Sequence, residues 1–172
     1  MTSRSDDQAS HLTQLGIGRM ARPAAPCAGL LESFPNPRPE RPYIIRLTFS
    51  EFTSLCPVTG QPDFGTIVVD YIPDSLCVET KSYKLYLFAF REHQSFMETI
   101  TNAILNDLLT AIEPLWCRVK GLFAPRGATR IHVFAEQFKE PAPPHLREIV
   151  RDWKLETAIV PAFPNETPTS FL

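Results

Sequence analysis

Proline constrains this chain more than any other residue type. Of 17 prolines in 172 residues, twelve fall in 1–42 or 141–172. A proline has no N–H to give to a helix or a sheet ladder, and its ring fixes φ, so regular elements avoid it. The two ends therefore read as a Pro-rich N-terminal tail, 1–42, and a Pro-rich C-terminal extension, 141–172, extended or disordered apart from a short helical piece near 145–154. The folded body is predicted over 43–140. The chain is 44% hydrophobic and 21% charged, which is enough apolar material for one core.

A net charge of −2 gives no general attraction to nucleic acid or to an anionic membrane, so any phosphate must be met by a few placed lysines or arginines. The first residues lack the apolar run of a signal peptide, and no stretch is long and apolar enough to span a bilayer. The expectation is a cytoplasmic protein with no membrane and no direct nucleic-acid partner. Cys27, Cys56, Cys77 and Cys117 form no CxxC pair, which suggests neither a zinc site nor a disulfide framework. Gly16-Ile17-Gly18-Arg19-Met20-Ala21 imitates a dinucleotide fingerprint, but a polar stretch precedes it and Pro23 and Pro26 forbid the helix that must follow. The sequon at Asn165 has no secretory route and reads as chance.

Within the body, Tyr43, Ile45, Leu47 and Phe49 alternate with period two and predict a strand. A second strand, 64–72, ends at Pro73, and Pro57, Gly60 and Pro62 put a turn between the two. The apolar run 85–90 fits a buried strand or a buried helix; its length and the possible N-caps Thr80 and Ser82 favour helix. Ile100, Ile104, Leu108 and Ile112 recur every four residues, a helix with Ser95 and Glu98 as a capping box and Pro114 at its end. Strand-like runs 116–123 and 129–138 follow, joined by a turn at 124–127. The order β, β, α, α, β, β predicts an α+β layer, an antiparallel sheet with both helices on one face. Its two open edges favour association edge to edge.

Most free cysteines are small buried hydrophobes, and Cys27, Cys77 and Cys117 read that way. Cys56 lies in a turn, where an exposed thiol becomes a nucleophile if a positive group, a helix N-terminus or a base lowers its pKa. The alternative is a packing residue at a strand end. Asp63 reads on its own as an Asx-type turn residue.

Cys56-Pro57-Val58-Thr59-Gly60-Gln61-Pro62-Asp63-Phe64, followed by Glu79-Thr80-Lys81-Ser82-Tyr83-Lys84-Leu85-Tyr86, resembles the NADPH-dependent 7-cyano-7-deazaguanine reductases, the QueF nitrile reductases of queuosine biosynthesis. The likeness extends through Phe90-Arg91, Asn106-Asp107-Leu108 and Pro125-Arg126-Gly127, across the body and neither tail, in a length typical of single-module members. It implies the tunnelling fold, whose ββααββ subunits join their sheets into barrels, and a homo-oligomer with sites between subunits.

The resemblance makes Cys56 the nucleophile that adds to the nitrile to form a covalent thioimide, Asp63 the proton donor, and NADPH the hydride source. A thiolate suits a weak electrophile such as a nitrile carbon at neutral pH, and Asp63 must be desolvated to keep a proton there. Glu98 and Glu79 would recognise the guanine-like edge of the 7-deazapurine, with Val78, Thr80 and Met97 flanking them. Lys81, Lys84 and Arg126 would meet the NADPH phosphates; without the resemblance, the lysines read as solvated side chains snorkelling from an apolar helix. No metal is implied.

One position departs from the family, which usually carries Phe-His-Glu where this chain has Phe96-Met97-Glu98. Methionine moves no proton, and His93, four residues before Met97, is the nearest substitute. Two other readings compete. An amidinotransferase of the same fold would resolve the thioimide with ammonia but lacks the lysine-bearing motif, and a purine- or pterin-binding protein would need neither Cys56 nor Asp63. A GTP cyclohydrolase would need zinc ligands, and His93, His132 and His145 make no such pattern with the cysteines.

Overall fold

The computed structural model describes residues 23–158, so the glycine-bearing stretch 16–21 and the sequon at Asn165 lie outside the described residues. The chain divides into two compact units after Lys139. In the first, a 3-10 turn at Ala28–Leu30 leads into β1 (Ser33–Pro35), then β2 (Ile45–Leu55), β3 (Pro62–Ile72), β4 (Leu76–Val78), α1 (Thr80–Phe88), a 3-10 turn at Ala89–Glu92, α2 (Met97–Ile112), β5 (Trp116–Phe123) and β6 (His132–Phe138). The second unit contains α3 (Pro144–Ala158), longer than the helical piece read from the sequence.

Strands β2, β3, β5 and β6 form an antiparallel sheet in that order. Alternation sends Ile67, Val69 and Tyr71 of β3 and Cys117, Val119 and Phe123 of β5 to one face, where they pack with Tyr83, Tyr86 and Leu87 of α1 and Ile100, Ile104, Leu108 and Ile112 of α2. The α+β class and the antiparallel sheet are therefore as predicted. Helix α2 lies close enough to β5 that a Cβ at Gly121 would stand 2.5 Å from Thr101 Oγ1 and 2.6 Å from the Phe123 ring.

The opposite face carries charge. Arg46, Asp70, Arg118 and Glu136 stand in register across all four strands, alternating in sign. Asp70 is fully buried and is held by Arg46 through a bidentate pair, Nε to Oδ1 at 2.6 Å and Nη2 to Oδ2 at 2.9 Å, with Lys120 Nζ 3.8 Å from Oδ2. Paired in this way, a buried carboxylate escapes most of its desolvation cost.

Three local readings are corrected. Residues 31–36 belong to the body rather than to a tail: β1 pairs antiparallel with β4, Leu31 is buried, and Asn36 Nδ2 donates to the Asp74 carbonyl at 2.7 Å. A three-residue strand is too short to show alternation. Helix α1 is capped by Glu79, whose two carboxylate oxygens accept from Lys81 N (2.8 Å) and Ser82 N (2.7 Å), rather than by Thr80 or Ser82. Helix α2 has Phe96 at its N-cap and no side-chain cap, so the Ser95–Glu98 box does not form. The reason is that the Ser95 N–H is already given to the Leu55 carbonyl at 3.1 Å. At the other end Glu113 takes a left-handed conformation (φ 41°) and donates to Leu109 O before Pro114 closes the helix.

Candidate active site

The β2–β3 hairpin positions the cysteine. Cys56 N donates to Gln61 O at 2.8 Å and Gly60 N donates to Cys56 O at 2.9 Å, a closure that needs the left-handed φ of 67° at Gly60. Cys56 thus sits at the mouth of the hairpin. Across it, Asp63 is in register with Ser54 on the neighbouring strand. A second turn reaches the same place from β5. Ala124 N donates to Phe64 O at 2.8 Å, and Arg126 and Thr129 exchange backbone hydrogen bonds of 2.9 and 3.0 Å around Gly127 and Ala128, both left-handed. The backbone of Arg126 is thereby held, and its Nε lies 3.0 Å from Asp63 Oδ1.

Cys56 and Asp63 are both nearly closed off, 7% and 2% exposed, yet their environments push them in opposite directions. The Thr59 hydroxyl, the backbone N–H groups of Thr59 and Val58, and the Arg126 guanidinium all donate to the sulfur and pull its pKa down to about 6. Burial raises the Asp63 carboxyl, and the charge of Arg126 offsets this only in part. The contact at 3.0 Å is one of charge rather than a directed bond, because Oδ1 is buried with no hydrogen-bond partner. Ser54 Oγ, its register neighbour, is likewise buried and unpartnered. The lowered pKa of the thiol and the raised pKa of the carboxyl beside it are shifts in the directions that nucleophilic addition coupled to proton transfer requires.

The other cysteines lack this setting. Burial raises Cys77 and Cys117, which fits their reading as core residues, whereas Cys27 is exposed, against the expectation of burial.

The segment before α2 runs alongside the cysteine. His93 O accepts from Leu55 N at 3.0 Å, and Leu55 and Gln94 form a parallel bridge, so the chain enters α2 from a position one residue from Cys56. The His93 ring packs edge-on against Phe90 with centroids 5.6 Å apart. Met97 is 5% exposed and belongs to the hydrophobic core, while Glu98 is exposed and its carboxylate makes no hydrogen bond among the described residues.

Val78 is buried, Glu79 is 7% exposed, and Thr80, at the first turn of α1, is exposed. Ser82 locks this corner: its Oγ donates to Glu79 O (2.8 Å) and accepts from Glu32 N (2.9 Å), and Glu79 N donates to Glu32 O (2.8 Å). Lys81 and Lys84 project from α1, and no ion pair joins them to a carboxylate among the described residues. The first turn of α1 has no acidic residue beyond the N-cap, so two cations stand at the positive end of a helix dipole, an arrangement that suits an anionic ligand.

Of the residues singled out in the sequence, Cys56, Asp63 and Arg126 are brought into one group. Glu79, Lys81 and Lys84 form a second group, and no hydrogen bond or ion pair joins it to the first among the described residues. Thr59 and Val58 were missed as donors to the sulfur; the Cys-Pro-Val-Thr-Gly turn, which curls back on its first residue, was the signal available. Among the described residues no three His, Cys, Asp or Glu side chains are grouped as metal ligands, and no helix is long and apolar enough to cross a membrane.

A thiol of lowered pKa, a buried carboxyl and a guanidinium gather at the mouth of a hairpin on an antiparallel α+β scaffold, a constellation suited to an enzyme. Comparison with known proteins supplies the family. The profile described as "QueF-like protein" matches residues 62–142. The NADPH-dependent 7-cyano-7-deazaguanine reductase of Nitratidesulfovibrio vulgaris is 63% identical over 159 residues, covering 91% of this chain and 96% of that protein. That of Desulfovibrio desulfuricans is 64% identical with the same coverage, and that of Synechococcus elongatus is 48% identical over 76% of this chain. Among solved structures, an archaeosine synthase QueF-Like in the apo form superposes with a TM-score of 0.54 over 59% of this chain and 99% of its own, at 22% identity, a likeness of fold. The chain belongs to the QueF family of NADPH-dependent 7-cyano-7-deazaguanine reductases.

Proposed function

We propose that this chain reduces the nitrile of 7-cyano-7-deazaguanine to the 7-aminomethyl group in queuosine biosynthesis, a step in tRNA modification, with NADPH as reductant and Cys56 as covalent nucleophile. The observation that carries this is the pair of opposed shifts at neighbours: a thiol pulled down to about 6 beside a buried carboxyl pushed up.

The Cys56 thiolate adds to the nitrile carbon while Asp63 gives its proton to the nitrogen, leaving a neutral thioimide and a carboxylate. NADPH supplies hydride to the carbon. Once one hydride has been received, the sulfur leaves as thiolate and an imine remains; a second hydride and a proton give the amine, so that four electrons pass in all. Glu98 and Glu79 accept from the N1–H and exocyclic amine of the base. Glu98 is free to do so, whereas Glu79 has one hydrogen bond on each oxygen already and offers its remaining lone pairs. Lys81 and Lys84 hold the cofactor's phosphates.

The unpartnered Ser54 Oγ and Asp63 Oδ1 favour a polar ligand at this position. We also place the chain in the tunnelling fold, with copies joined through the free edges of β2 and β6 into barrels whose sites lie between subunits.

The test incubates purified protein with 7-cyano-7-deazaguanine, with and without NADPH, following intact mass and NADPH oxidation. The expected result is an adduct on Cys56 without NADPH and two NADPH consumed per nitrile with it. Cys56→Ala should lose both while still binding the base. An adduct that NADPH does not turn over, but ammonia does, favours amidine formation instead.

A further inference from the structure

Thioimide formation moves charge. Before it, the pair holds one negative charge on sulfur and one proton on the carboxyl; after it, the sulfur is neutral in its bond to carbon, the proton is on nitrogen, and the negative charge is on Asp63. The bond formed is S–C, the bond broken is one of the two π bonds of the nitrile, and no electron is gained or lost overall. A charge that travels between two nearly buried groups requires compensation at both ends of its path. Arg126 stands between both ends: its Nε lies 3.0 Å from Asp63 Oδ1, and its guanidinium is near enough to Cys56 to pull the thiol's pKa down.

We propose that Arg126 is the counter-ion for this transfer, pairing first with the Cys56 thiolate and then with the Asp63 carboxylate, so that thioimide formation leaves no uncompensated charge. This rests on the reaction proposed above and gives Arg126 a role at the reacting sulfur rather than at the cofactor. The turn that carries it suits that role. The Arg126–Thr129 backbone pair and the Ala124–Phe64 bond fix its base to the strand holding Asp63, while the side chain itself remains 43% exposed. Oδ1 receives no directed hydrogen bond, so the guanidinium meets it as a charge alone. His93 lies on the segment along Leu55, joined to it through its backbone carbonyl, with its ring against Phe90; Thr59 and the backbone supply neutral donors to the sulfur.

The test uses Arg126→Gln and Arg126→Lys in the full chain, with two readouts that need no NADPH. In iodoacetamide alkylation of Cys56 against pH, the parent should show a midpoint near 6, Arg126→Gln a higher one, and Arg126→Lys one close to the parent. In single-turnover adduct formation at saturating nitrile, Arg126→Gln should be slower by about 10- to 100-fold, and by more than the loss of thiolate at that pH explains, with lysine recovering part of the rate. If Arg126→Gln keeps the parental alkylation midpoint and adduct rate and only its KM for NADPH rises, the residue is a cofactor ligand and the inference is overturned. If the parent forms no adduct, the proposed reaction itself falls, and with it the transfer; a shifted alkylation midpoint would then still identify Arg126 as the counter-ion of Cys56.

Discussion

The Thr59 hydroxyl, the backbone and Arg126 pull the Cys56 thiol down to about 6, and burial raises the Asp63 carboxyl above its ordinary value; the two shifts set the pH dependence of addition. As pH rises through about 6 the thiolate forms and adduct formation should rise with it. Asp63 can act as the acid only while it keeps its proton, and burial extends that to higher pH than for an ordinary carboxyl, so the rate should fall as it ionises. Asp63→Asn should keep the rise that follows the thiol, lose the fall that follows the acid, and slow addition by roughly 100- to 10,000-fold; a fall surviving in this variant assigns the proton to another donor. Met97 belongs at this scale too. In a family that carries histidine there, the methionine reads as a missing proton relay whose restoration raises turnover. Its place in the apolar core argues otherwise. Met97→His should bury an imidazole without a partner, costing about 1–3 kcal/mol, and thermal melting should record that loss with no gain in NADPH oxidation. Faster turnover at unchanged stability would show that the side chain reaches the site. Burial is what the sequence could not display here: Cys56 and Asp63 were legible through a motif, but Met97 and Glu98, adjacent in the chain, separate into core and surface only once α2 is packed.

At the scale of elements, the hairpins and helices were legible where a period ran long enough. β5 spans the residues expected of it, and α2 follows its four-residue repeat to Ile112. The starts of the helices were not. N-cap rules look for short side chains, and Glu79 caps α1 with a long one because Ser82 and Glu32 hold its backbone in place. The consequence is a carboxylate with two duties. Glu79→Ala should lower stability by about 0.5–2 kcal/mol in the absence of any ligand as well as weaken binding of the base. Denaturant titration of the ligand-free protein separates the two, and unchanged stability would show that the cap does not hold in solution. Ser95 failed as a cap for a different reason: a tertiary hydrogen bond to β2 outcompeted a local one, and no local pattern reports that.

The whole molecule presents a sheet whose outer strands differ. The charged row begins with Arg46 on β2 and ends with Glu136 on β6, so one edge is positive and the other negative on that face. Four strands alternate in direction, and a neighbour joined at either edge continues the antiparallel order. Joining like edges sets Arg46 against Arg46, whereas joining unlike edges carries the alternation of sign onward. In the barrel assembly proposed above, Glu136→Lys should therefore weaken association, read by light scattering across protein concentrations, and association unchanged in this variant would show that the row does not cross the junction. Contacts between unlike edges repeat by one rotation instead of pairing about a dyad, and with a twisted sheet they close on themselves. Every member of such a ring is both a donor of one edge and a receiver of the other. A few subunits spoiled at a single edge, mixed into a normal population, would then act as chain terminators, leaving open arcs in numbers far beyond their own share.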